Sequence, residues 1–175
     1  MLNTRNVPCA LGIDSGYANT GVAIVTTEDF VLMTDHLVPP RDRDIQGRIT
    51  WLCEKMHALM QQYEPVVIGL ETYTAPSMRT RAMSAQAVAW HNWLIGALIR
   101  LPGEVRLLEA KYWQHTLTGI QMAKAIGGKD TIQQYVEMRT GYVFTKNSGG
   151  HKSDAAGIAL VALDEWQLLD IGKSA

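Results

Sequence analysis

The sequence predicts an α/β fold, one mixed five-stranded sheet with helices on both faces. Three observations carry that expectation. The first part of the chain holds three apolar, β-branched runs separated by short turns, the pattern of an antiparallel meander. Beyond them, segments of helical and of strand periodicity alternate. One of those runs, VVIGLE at 66–71, is almost wholly apolar, as a strand covered on both faces is.

Taken in order, residues 9–14 and 20–27 read as two strands joined by the Gly16 to Asn19 turn, and FVLMTDHLV at 30–38 as a third, ended by Pro39 and Pro40. In IQGRITWLCEKMHALMQQY, 45–63, Ile45, Ile49, Leu52, Met56, Leu59 and Met60 recur at helical spacing, and Glu64 with Pro65 stops that helix. VVIGLE is the fourth strand. Residues 80–101 read as a long helix, EVRLLE at 104–109 as the fifth strand, and 128–139 and 151–168 as two more helices. A chain of 175 residues is long enough for one full core and short for two. It carries no repeat, low-complexity tract or linker, so residues 1–175 are expected to form a single domain.

Composition narrows the function. With 47% hydrophobic and 19% charged residues the chain is ordinary for a globular protein. Its longest apolar stretch, AVAWHNWLIGALI at 87–99, is broken by His91 and Asn92 and falls short of the roughly 20 residues that span a bilayer, so no membrane partner is expected. MLNTRNVPCALGID runs into a strand without the apolar core of a signal peptide, which points to the cytoplasm. Cys9 and Cys53 fit no metal spacing and read as reduced thiols. A net charge of −1 argues against coating nucleic acid by bulk electrostatics, but the charge is uneven. Between 79 and 129 stand seven cations, Arg79, Arg81, Arg100, Arg106, Lys111, Lys124 and Lys129, against Glu104 and Glu109. Between 28 and 71, eight acids face four bases. Solvated helix faces are the plain reading of such cations. A basic surface beside a carboxylate cluster is also what a metal-dependent nuclease needs.

The acids supply that cluster. In GIDSGYANTGVAIV, 12–25, Asp14 interrupts an apolar strand; Glu71 ends the fourth strand; Asp154 lies in the first turn of the last helix, three residues after His151. Singly they read as a turn-forming Asp, an exposed strand end and a helix N-terminal acid. Together they differ, because strands one and four are expected to be neighbours, which sets Asp14 beside Glu71. Buried like charges need compensation, and a divalent cation is the usual one. His151 and Asp154, three apart on a helix, can address one site, and NSGG at 147–150 gives a pliable approach to it. Oxygen-rich ligands select Mg2+ or Mn2+, and two such ions promote phosphodiester cleavage.

GIDSGYANTGVAIV, VVIGLE and HKSDAAGIAL resemble, in order and spacing, the motifs of the RuvC family of Holliday junction resolvases, within the RNase H-like and retroviral integrase superfamily. The first is similar to G-I-D-P-G-x-x-x-T-G, with Ser15 in place of the proline. The resemblance implies an RNase H-like sheet and a catalytic, metal-binding set of Asp14, Glu71, His151 and Asp154 with two Mg2+ ions, for which Mn2+ would substitute. It implies paired nicks in a four-way junction that leave 5′-phosphate and 3′-hydroxyl ends. In AKYWQHTLTGIQMAKAIGGKDTIQQYV, 110–136, Lys129 resembles a phosphate-contacting lysine, and Gln114 stands where many relatives have a second. Tyr73 stands, offset by one, for the aromatic that stacks at the junction; Arg79, Arg81, Lys111 and Lys124 are further candidates for DNA contact. Symmetric cuts imply a homodimer, for which the 80–101 helix, with Met83, Val88, Trp90, Trp93 and Leu94, is the natural interface, a fully buried core helix being the other reading. A phage or organelle setting would suit the chain's size. Other readings are an RNase H-like or debranching nuclease of looser selectivity, an actin-like ATPase, whose second glycine-rich loop is missing here, and a nuclease-dead DNA-binding scaffold, which the intact acids oppose.

Overall fold

A computed structural model of the chain describes residues 7–16, 19–72, 85–119, 129–145 and 150–173. Five strands, β1 (Cys9–Ser15), β2 (Thr20–Thr26), β3 (Val31–Leu37), β4 (Val67–Thr72) and β5 (Glu104–Glu109), form one sheet in the order β3-β2-β1-β4-β5. The meander β1 to β3 is antiparallel, whereas β4 and β5 run parallel to β1. Parallel neighbours need crossovers, and helices supply them: α1 (Ile45–Tyr63) leads into β4 and α2 (Ala85–Leu98) into β5. Asp44 caps α1, its side chain accepting from the Gly47 N–H at 2.7 Å, and Glu64 ends it in the left-handed conformation. The chain continues through α3 (Ala110–Thr118), α4 (Lys129–Thr140) and α5 (His151–Lys173).

Strand periodicity sorts β1 between two cores. Leu11 and Ile13 face α1 and α2, joining Val22, Ile24, Ile68, Leu70, Leu52 and Met56. Ala10 and Gly12 face α5. Helix α5 is buried at every position from Ser153 to Leu163, since the sheet covers one side of it and α3 and α4, through Trp113, Ile132 and Val136, the other. It lies so low on the sheet that backbone meets backbone. A Cβ at Gly12 would overlap the carbonyl oxygen of Ala155, one at Gly21 that of His151, and one at Gly69 would stand 2.8 Å from Ile158 Cγ2 and 2.9 Å from the Ile158 carbonyl.

Two expectations require correction. Helix α3 stands where the sequence predicts none, because it follows β5 directly and Glu109 at its start makes no side-chain cap, so no start signal is present. Trp90 and Leu94 belong to the core and not to an outer interface: they are 1% and 0% exposed, packed beneath the sheet with Leu98. The reason is helical spacing, which puts 90, 94 and 98 on the inner face and leaves Trp93, 56% exposed, pointing away. Trp90 and Trp93 therefore form no common patch. Met83 and residues 80–84 of the expected helix lie outside the described residues.

The glycine contacts predict opposite signs for two Gly→Ala changes. Gly12→Ala should cost about 3 kcal/mol or more in urea unfolding, since neither backbone can yield. Gly96→Ala, in helix α2 with nothing within 4 Å of the new methyl, should stabilise by about 0.5–1 kcal/mol.

Candidate active site

At the carboxyl ends of β1 and β4 one transverse row of the sheet reads His36, Gly21, Asp14, Glu71. His36 pairs with Gly21 and Gly21 with Asp14, while Asp14 and Glu71 each follow the parallel pair Ile13 and Leu70 by one residue. Open α/β sheets bind ligands at such strand ends. Asp14 and Glu71 share the Gly12 and Gly69 face, under α5, by the two-residue period of a strand. The expected adjacency of strands one and four is thus present.

Helix α5 brings the other two groups. Gly150, at φ 82°, turns the chain into it, and the Asp154 N–H donates to the Gly150 carbonyl at 2.9 Å. Because Gly21 has no side chain, His151 settles over β2, where its Nδ1 lies 2.5 Å from Asp14 Oδ2. A carboxylate only accepts, so the proton of that bond resides on Nδ1. On its other side the His151 ring stacks on His36, with centroids 5.6 Å apart and planes 13° from parallel. One turn on, Asp154 approaches closely enough for its charge to act on Glu71.

The three acids are nearly dry, with Asp14, Glu71 and Asp154 at 4%, 5% and 9% exposure. Burial holds Glu71 well above the usual carboxylate range, and the Asp14 charge, a hydrogen bond with Asp14 and the Asp154 charge add to this. The Trp113 indole N–H opposes them, donating to Glu71 Oε1 at 3.3 Å. Burial, with the charges of His151 and Lys152, holds His36 below the usual imidazole range, so it is neutral at pH 7. Behind the acids, Ser15 Oγ donates to the Glu71 carbonyl at 3.3 Å and lies 3.2 Å from His91 Nδ1, tying β1 to β4 and to α2.

The structure thus gathers Asp14, Glu71, His151 and Asp154 from three separate stretches of chain. Among the described residues no three ligating groups stand preassembled in metal-binding geometry, because Asp14 is turned onto His151 and Glu71. The donor chemistry nevertheless fits hard divalent cations: three carboxylates and an imidazole, with more negative charge than one indole and one histidine offset. Lys111 is exposed on α3, and Val88 is half-buried on α2. Lys129 opens α4, but its side chain, with Tyr73, Arg79, Arg81 and Lys124, lies outside the described residues. Sequence reasoning missed Trp113 and His36. Trp113 was hidden with α3; His36 could have been found by laying the third strand against Gly21.

Residues 10–162 match the family model of the crossover junction endodeoxyribonuclease RuvC. The chain belongs to the RuvC family. Over 171 residues it is 27% identical to the crossover junction endodeoxyribonuclease RuvC of Treponema denticola, covering 95% of this chain and 89% of that protein. Its fold is similar to that of Thermus thermophilus RuvC, solved in complex with a Holliday junction substrate, with a TM-score of 0.72 at 14% identity over 91% of this chain and 96% of that one. The yeast mitochondrial Holliday junction resolvase gives 0.54 at 19% identity, over 87% and 76%. In this chain the motif's glycine at 21 has a definite task, to admit the His151 backbone.

A raised Glu71 pKa is a stability cost. Its contribution is fully present below the unfolded-state pKa and is lost as pH rises through the folded value, so rising pH works against folding at this site. Glu71→Gln keeps the oxygen that Trp113 needs and cannot ionise. In EDTA it should raise Tm by about 2–4 °C, the shift that about 1 kcal/mol makes in a domain of this size. Added Mg2+ should raise the Tm of the wild type more than that of the variant, by differential scanning fluorimetry.

Proposed function

We propose that this RuvC-family chain is a metal-dependent endodeoxyribonuclease that resolves four-way DNA junctions by paired, symmetric nicks, leaving 5′-phosphate and 3′-hydroxyl ends. The observation that supports it best is the convergence of three nearly dry carboxylates, Asp14, Glu71 and Asp154, at the strand ends. Asp14, Glu71 and Asp154 would hold two Mg2+ ions, or Mn2+ in their place, with His151 as a fourth ligand or as the group that orients the attacking water. Held there, the cations would supply a water of lowered pKa and charge stabilisation for the leaving oxygen. Asp14 keeps the His151 proton on Nδ1, which leaves Nε2 as the basic atom for that water. Trp113 steadies Glu71 from the α3 side. Lys129, Lys111, Lys124, Arg79 and Arg81 would neutralise phosphates, and Tyr73 would stack at the crossover.

A homodimer fits the symmetry of the two cuts. Its contact would use the outward face of α2, where Trp93 stands exposed beside Asn92 and Gly96, in place of the buried Trp90 and Leu94. No helix among the described residues is long and apolar enough to cross a membrane.

The test is to incubate protein and Mg2+ with a labelled four-way junction, a linear duplex and an RNA:DNA hybrid. Paired nicks in the junction alone are expected; cutting of the hybrid or the duplex instead would replace this reading with a looser nuclease. Asp14→Asn should slow cleavage by about 10³-fold or more. Asp154→Asn should bind the junction in EDTA at least as tightly as wild type, having lost a charge that repels phosphate, and fail to cut once Mg2+ is added. Loss of binding together with cutting, at unchanged circular dichroism, would remove Asp154 from the metal site.

A further inference from the structure

His151 sits in a slot with three built sides. The floor is Gly21, where any side chain would overlap the His151 backbone. One wall is Asp14, bonded to Nδ1 at 2.5 Å. The other wall is His36, whose ring lies 5.6 Å away and 13° from parallel. The register makes this a designed row, since Gly21 pairs with Asp14 on one side and with His36 on the other. Floor and walls are consecutive positions across three strands.

A hydrogen bond at one nitrogen does not by itself set the plane of an imidazole. It fixes the direction of Nδ1 and leaves rotation about the N–H···O axis to be limited by what lies against the ring face. A flat aromatic surface parallel to the ring removes that freedom. His36 itself is suited to act as a surface: its Nε2 is buried and makes no hydrogen bond among the described residues, so that nitrogen is not recruiting a partner of its own. Its backbone is pinned by strand pairing and by the Asp35 side chain, which accepts from the His36 N–H at 2.7 Å.

We propose that His36 is a positioning residue for the nuclease reaction, holding the plane and tautomer of His151 through its ring face and not through a nitrogen. The inference rests on the function proposed above for His151, and its consequences reach the DNA only through that side chain.

Ring spectra and cleavage kinetics of His36 variants test it. His36→Phe keeps an aromatic face without nitrogens, and His36→Ala removes the face. Long-range 1H–15N spectra of the metal-free protein report the His151 ring directly. Wild type and His36→Phe should hold the Nδ1-protonated tautomer, and His36→Ala should exchange between both. In cleavage assays at saturating Mg2+ and junction, His36→Ala should lose roughly 10- to 100-fold in turnover with junction affinity in EDTA unchanged, and His36→Phe should stay near wild type. In a His151→Ala background, His36→Ala should change turnover less than about twofold, as two groups acting through one must. Identical His151 spectra in wild type and His36→Ala would overturn the proposal, as would additive losses in the double variant or a His36→Phe as impaired as His36→Ala. A wild type that cuts no DNA would remove the proposed function, while the ring spectra would still decide the place of His36.

Discussion

Helix α5 touches the sheet backbone to backbone, over Gly12, Gly21 and Gly69, and the geometry of the site follows from that approach. Ordinary side chains between a helix and a sheet would lift the helix by the width of a methyl or more. His151 would then stand off Asp14, and Asp154 would withdraw from Glu71. The same approach explains the small residues of the helix, Ala155, Ala159 and Ala162, which lie against the glycines. It also explains why the outer side must be closed by α3 and α4, since a helix apolar all round cannot face water.

The closeness that builds the site also loads it with charge. Three carboxylates at 9% exposure or less are costly beside one another, and the fold offsets only part of the repulsion, through His151 on Asp14 and Trp113 on Glu71. A core evolved for stability alone would place neutral side chains there. The uncompensated remainder reads as affinity for cations, held in reserve by a scaffold rigid enough to keep like charges together.

Much of this was legible in the residues. The strands of the meander and β4 show themselves by β-branched periodicity, α1 by its apolar stripe and stop, and Asp14 and Glu71 by interrupting apolar strands that had to be neighbours. What stayed hidden had physical causes. Helix α3, and with it the indole on Glu71, begins without a cap directly after a strand. Helix α2 is so apolar that its inner and outer faces cannot be told apart by composition, which is why the sequence offers Trp90 and Leu94 as interface and as core alike. His36 lies on a half-buried edge strand whose alternation is weak, and only the register against Gly21 brings it to His151.

The central claim is that Asp14, Glu71 and Asp154 are held together for cations. Crystals of the protein soaked in Mn2+ and measured at the manganese absorption edge test it most directly. Anomalous peaks bounded by oxygens of Asp14, Glu71 and Asp154, with the Asp14 to Glu71 hydrogen bond broken, are the expected result. Manganese bound elsewhere, with the two carboxyl groups still bonded to each other, would contradict it.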